Sequence, residues 1–370
     1  MLKADRRFPV VFIGLIQNRC VVNLGLELNL MSSILSSTRT FVLCICILVC
    51  TGAGKKWNDD KSKRQDPEAK ETTAKKLSSP FEEDPIITAD SATCTIPFSR
   101  AGNLIIIKAK ADTIEGNFIF DTGAPGLILN STYFRHLKAE DPEANERSGG
   151  ITGAVDALLP ARMKQLSFGG MKWHQLYADR ISLGHLENIK GTKILGLLGM
   201  QLFRRFEIVI DFKNNLLHFR HISKNVKKAT NTMAAYDIKT ALETDIVMRG
   251  NKILTNGKIG NRRLTFIIDS GAEANIIDAR LPGSVLDSVS IQSTIKLNGT
   301  GGVKTDALYG EMRNFKIGEL FINAMPFMVT SLEKMNFVYE QNLDGMLGFD
   351  FLSRHQIGFN FVTRKMYIWK

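Results

Sequence analysis

The chain is poor in the residues that build disulfide frameworks and metal sites. Five of its 370 residues are cysteine and six are histidine. Cys20, Cys44, Cys46 and Cys50 crowd the first 50 positions, leaving Cys94 alone in the stretch with a globular pattern. That distribution supports neither a disulfide network nor a Cys/His metal centre. Cys94, with no His or Asn context to activate it, reads as an inert thiol. His136, His174 and His355 show no metal-ligand spacing. A basic run interleaved with aromatics is also missing, although Lys and Arg outnumber Asp and Glu by 48 to 37. Residues 1–91 hold 13 basic and 11 acidic side chains, which leaves 35 against 26 dispersed over the remainder. The excess reads as a solvated basic surface, and no nucleic-acid partner is expected. The apolar run FVLCICILVC, at 41–50, has ten residues, too few to cross a bilayer, where about 20 are needed.

That run has the length of a signal-peptide core, with Arg39 before it and Met31 upstream as an alternative start. Residues 1–53 are therefore read as a targeting segment and the chain as exported, to a periplasmic or extracellular location. Two outcomes are compatible with the boundary. Cleavage after Ala53 would release the chain, and lipid attachment at Cys50 would anchor it to a membrane as a lipoprotein. Residues 54–91 are rich in Lys, Glu, Asp, Ser and Pro and hold too few apolar side chains to offset ordering entropy. They read as a flexible polar spacer.

What is present is a repeat. NFIFDTGAPGLIL at 117–129 returns as TFIIDSGAEANII at 265–277, placing Asp121 and Asp269 148 residues apart. ILGLLGMQLFRRFEIVIDF at 194–212 returns as LDGMLGFDFLSRHQIGFNF at 343–361, with Gly199 and Gly348 149 apart. LSFGGMKW (166–173) and FKIGELFI (315–322) share a strand, Gly turn, strand pattern, and each copy has a glycine-rich segment, SGGITG at 148–153 and NGTGGV at 298–303. Short β-branched and aromatic runs dominate both copies. Helix is expected only as short turns at 200–205, 349–353 and near 132–137. The fold class is mostly β, with two lobes at 92–222 and 233–370 joined by a link near 221–233.

Each copy ends an apolar strand in Asp, a small hydroxyl residue, Gly and Ala. The strand delivers the carboxylate to the rim of a cleft, the hydroxyl of Thr122 or Ser270 locks the loop, and Gly123 or Gly271 allows a tight turn. Two such carboxylates within hydrogen-bond distance cannot both ionise, so the pair holds one proton and can activate a water between them. That chemistry needs neither metal nor cofactor.

These motifs resemble the retropepsin and pepsin group of aspartic proteases. They are more closely similar to an exported bacterial aspartyl-protease family with two tandem domains, over residues 95–370. The resemblance implies two closed retropepsin-like β-barrel lobes, the acid-protease fold, with a catalytic cleft between them. It implies an aspartic-type endopeptidase with Asp121 and Asp269 as its dyad, supported by Thr122, Gly123, Ser270, Gly271 and by Leu198, Gly199, Leu347 and Gly348 behind the loops. Flaps over a peptide or protein substrate would map to Gly150, Gly153, Gly301 and Gly302. The matched copies favour pairing within one chain, a monomer, over dimeric pairing of Asp121 with Asp121. A catalytically silent peptide-binding or scaffold protein is the alternative. The copies also differ. Asp344 and Asp350 replace Leu195 and Gln201 and read as caps of a short helix, and Glu273 replaces Pro125 and reads as an exposed turn residue.

Overall fold

The computed structural model describes residues 48–49, 85–87, 93–138, 148–150, 153–155, 159–223, 232–233, 236–298, 304–339 and 341–370. Met31, Cys50, Ala53, Gly301 and Gly302 lie outside the described residues, as do most of the expected targeting segment, spacer and interlobe link.

In the first lobe Leu104–Ala111 and Ile114–Phe120 form a hairpin whose tight turn carries Asp112 at φ 52°, a conformation that Asp tolerates. Gly196–Leu198 lies parallel to Ile114–Phe120 and antiparallel to Leu127–Asn130. Met171–Ile181 and Leu159–Phe168 continue the sheet, and Leu166 and Ser167 pair back onto Ala111 and Lys110, closing six strands into a barrel. The second lobe repeats this ring with Lys252–Ile259, Arg262–Ile268, Gly345–Leu347, Ile276–Asp278, Leu320–Thr330 and Lys304–Ile317. Side chains alternate across these strands. Ile105, Ile107, Phe118, Phe120 and Leu198 enter the main core, whereas their neighbours Ile106, Ile119 and Leu197 join a cluster shared with Leu254, Ile267 and Met346 of the second lobe.

A leading strand and the last two strands of each copy stand outside the barrels. Thr93–Pro97, Leu216–His221, Phe206–Asp211, Gln356–Asn360, Lys365–Trp369 and Leu242–Asp245 form one six-stranded sheet across both lobes. Its centre is the antiparallel pair Phe206–Asp211 and Gln356–Asn360, with Val209 opposite Gly358. The sequence reading assigned these strands to separate lobes, and the hydrogen-bond ladder joins them. Met233 and Tyr236, at the start of the second copy, pack with Val209, Tyr367 and Trp369 on the outer face of the sheet.

Short helices follow the apolar-Gly motifs as expected, a 3-10 turn at Met200–Phe203 and an α turn at Phe349–Leu352. Residues 132–137 form turns rather than a helix, because Asn130 Oδ1 accepts the Thr132 N–H in a local turn. Two helices were not anticipated, Gly184–Lys190 and Glu333–Tyr339, which occupy matching places in the two copies. Ser148–Gly150 and Gly153–Val155 pair as a hairpin, with Gly150 opposite Gly153. That hairpin lies against Glu333–Tyr339 of the other lobe, and Leu48–Val49 pairs along its outer strand.

Candidate active site

Each Asp-Thr/Ser-Gly loop hangs from the strand that carries the apolar-Gly motif. Leu198 C=O accepts the Asp121 N–H at 3.1 Å, and Leu347 C=O accepts the Asp269 N–H at 3.0 Å. The glycine after each leucine is required by space. A Cβ at Gly199 would sit 2.4 Å from Gly126 O and 2.6 Å from Ala124 O, and one at Gly348 2.5 Å from Ala272 O. The apolar-Gly motif therefore seats the returning loop directly on backbone, and its leucines are fully buried.

The two loops then lock each other. Thr122 N–H donates to Ser270 Oγ and Ser270 N–H to Thr122 Oγ1, both at 2.9 Å. The hydroxyls pass their own hydrogens across the interface, Thr122 to Ile268 O at 3.1 Å and Ser270 to Phe120 O at 2.9 Å. Four hydrogen bonds thus join one lobe to the other in a buried setting, where losing either hydroxyl strands its partners at a cost of about 1–3 kcal/mol.

Between the loops lie the two carboxyl groups. Asp121 is 3% exposed and Asp269 0%. Asp121 Oδ1 accepts N–H groups of Gly123 at 2.8 Å and Ala124 at 3.1 Å, and Asp269 Oδ1 accepts that of Gly271 at 2.8 Å. The Asp121 carboxyl faces the Gly271 backbone, two residues beyond Asp269. A Cβ at Gly271 would lie 2.6 Å from the Asp121 carboxyl atoms, so only glycine there allows the approach. Burial raises the Asp121 carboxyl above its ordinary range, against the lowering effect of its hydrogen bonds from Gly123, Asp269 and Ala124.

Glu273 departs from the reading as an exposed turn residue. It is 1% exposed and forms an ion pair with Lys190 of the first lobe. Its Oε1 also accepts the Asn103 N–H at 3.0 Å, and its backbone oxygen accepts from Asn103 Nδ2 at 3.2 Å. The physical reason is that the opposite lobe supplies a cation and donors at this point, which nothing near Glu273 in sequence announces. Beside it the Arg100 guanidinium stacks 4.7 Å from the Phe349 ring, another contact between lobes.

The expected helix caps are corrected as well. Asp344 Oδ2 accepts the Thr265 N–H at 2.7 Å, bracing a strand. Asp350 stands in the first turn of Phe349–Leu352, but its Oδ2 accepts the Asn275 N–H at 3.3 Å, outside that helix. Loss of hydration pushes the Asp350 carboxyl up to about 7. Asn275 was not singled out from the sequence. Its Oδ1 accepts the Gly348 N–H at 2.9 Å and its Nδ2 donates to Pro326 O at 3.0 Å, so it props the second loop where Leu127 stands in the first copy. A polar residue in an otherwise apolar column of the repeat was the available signal.

Gly150 and Gly153 fall in the hairpin described above. Among the described residues no cluster of His, Cys, Asp and Glu could hold a metal ion, and no helix is long and apolar enough to cross a membrane. Burial pushes the Cys94 thiol up to about 11, which disfavours the reactive thiolate.

A family-level comparison matches residues 107–202 and 255–351 to Aspartyl protease, one match on each barrel and more than half the chain in total. The chain belongs to the aspartyl protease family. Both matched regions contain an Asp-Thr/Ser-Gly loop and its apolar-Gly support, the elements that meet at the interlobe lock. No curated protein matches the chain.

Proposed function

We propose that this family member is an active endopeptidase that hydrolyses peptide bonds with a water held between Asp121 and Asp269. The observation that carries the reading is the meeting of two buried carboxyls at the interlobe lock, with Asp121 set against the Gly271 backbone and each carboxyl anchored by backbone N–H groups. Two carboxyls so close share one proton. The ionised member takes a proton from the water as its oxygen attacks the peptide carbonyl carbon. The protonated member gives its hydrogen to the carbonyl oxygen, yielding a tetrahedral diol. Proton transfer to the nitrogen then lets the C–N bond break, returning one proton to the pair.

Both carboxyls come from one chain, so a monomer suffices for the site. In purified full-length protein, Asp121→Asn and Asp269→Asn should each lower kcat on a peptide library by about 10³-fold. Cleavage retained by both variants would sink the reading, and peptide binding without cleavage by the unaltered chain would leave a silent binding protein. Activity should follow a bell in pH. It falls in acid when both carboxyls are protonated and in base when both ionise, with the basic limb displaced upward because burial disfavours the second charge. Export belongs to the same proposal, resting on the apolar run 41–50. The mass of the mature amino terminus separates cleavage after Ala53 from lipid attachment at Cys50, and a chain that starts intact at Met1 would exclude both.

A further inference from the structure

The central pair of the shared sheet carries an exchange of acids for amides. In the repeat, Glu207 and Asp211 of the first copy align with Gln356 and Asn360 of the second. The antiparallel register crosses these positions. Asn360 Nδ2 donates to Glu207 Oε1 at 2.6 Å, and Gln356 Nε2 donates to Asp211 Oδ2 at 3.0 Å. The two bonds flank Val209 opposite Gly358 and lie on the face covered by Met233, Tyr236 and Trp369. Glu207 is 3%, Asp211 0% and Asn360 4% exposed.

The crossing has a consequence for partner choice. If the first lobe met a second copy of itself in this register, Glu207 would face Asp211 twice, with two buried carboxylates in each contact. In the chain as it is, every acid meets an amide that can donate to it. We infer that this exchange is a pairing code: it directs the first lobe onto the second within one chain and rejects a second copy of the first lobe on the same edge. This concerns how the halves choose one another, and it stands whether or not the cleft hydrolyses peptides. The code works among other polar groups. Arg220 pairs with Glu207, and Tyr367 stands near it. Asp211 accepts from Tyr236 and Asn214 and feels His218.

The rejected contacts can be recreated inside the full chain by isosteric changes. Gln356→Glu with Asn360→Asp places a carboxyl opposite each existing one. At pH 8 this double variant should melt about 10 °C below the unaltered protein, from the cost of uncompensated buried charge. The gap should narrow as pH falls toward 5, because the folded state raises the new carboxyl pKa values and binds the protons that relieve repulsion. Adding Glu207→Gln and Asp211→Asn reverses the code, and this quadruple variant should recover most of the loss. The proposal is overturned if the double variant melts within about 2 °C of the parent at pH 8, if the gap does not change with pH, or if the quadruple variant is no more stable than the double. Thermal melts read all three without any measurement of activity.

Discussion

The two barrels have the same ring of strands and the same loop lock, yet they prop their loops by different means. The first lobe relies on apolar filling. Leu127 and Leu195 are buried, and Phe120, Phe203, Phe206 and Phe219 pack ring against ring behind them. The second lobe puts Asn275 and Asp344 at those two positions and Asp350 in the place of Gln201, and it braces the loop and the strand before it with directed hydrogen bonds. What coincides is the backbone around Asp121 and Asp269, where the two loops must fit each other closely. What differs lies one layer behind, where dispersion or hydrogen bonding serves equally well. Glu273 adds a second asymmetry, since only the second loop reaches across to a cation, where the first has Pro125.

That last difference should give the largest effect on stability. Lys190→Met leaves the Glu273 carboxylate buried without its ion-pair partner and should cost about 3–5 kcal/mol in denaturant unfolding. Glu273→Gln in the same chain should restore much of it. A neutral Lys190→Met would mean that the lobes are not clasped there. Exchanging the props tests the comparison directly. Leu127→Asn should cost about 3 kcal/mol through lost burial, and Asn275→Leu about 1–3 kcal/mol through the stranded Gly348 N–H and Pro326 carbonyl. If both were tolerated, the two ways of propping would be interchangeable.

The lock should respond symmetrically, in contrast with the props. Thr122→Val and Ser270→Ala should each cost about 1–3 kcal/mol, and the double variant less than their sum, since they share hydrogen bonds. The last effect is one of pH and belongs to Asp350. Its folded pKa, about 7, lies above the unfolded value, so its contribution is best in acid and declines as pH rises from about 4 through 7. Asp350→Asn should therefore gain on the parent above pH 7 and lose that advantage near pH 4, as followed by thermal melts. No comparable dependence should arise from Gln201 in the first lobe.

Much of this was legible because the repeat supplies its own control. Asp121 and Asp269, the hydroxyls beside them and the apolar-Gly supports are local motifs whose spacing survives duplication, and the fold brings them together at the interlobe lock. The shared sheet was not legible. Phe206–Asp211 and Gln356–Asn360 look like ordinary strands of their own copies, and only the docking of the lobes decides that they pair. Glu273 misled for a related reason, because an acidic residue in a loop is usually solvated and Lys190 stands 83 residues earlier in the chain. The helices Gly184–Lys190 and Glu333–Tyr339 are too short for periodicity to reveal. They are tied instead by single side chains, Glu187 to the Ile194 N–H and Asn336 to that of Leu343.

The central strand of the shared sheet also sets a timetable for synthesis. Phe206–Asp211, buried along its whole length, waits for Gln356–Asn360 near the end of the chain. At roughly 5–20 residues per second a ribosome leaves that apolar edge without its partner for about 7–30 s. In that interval the first barrel can close but its outer strand remains a template for any passing chain. Chains truncated between residues 223 and 355 should therefore crosslink to chaperones more strongly than the full chain, and equal crosslinking of both would show that the edge is covered by other means.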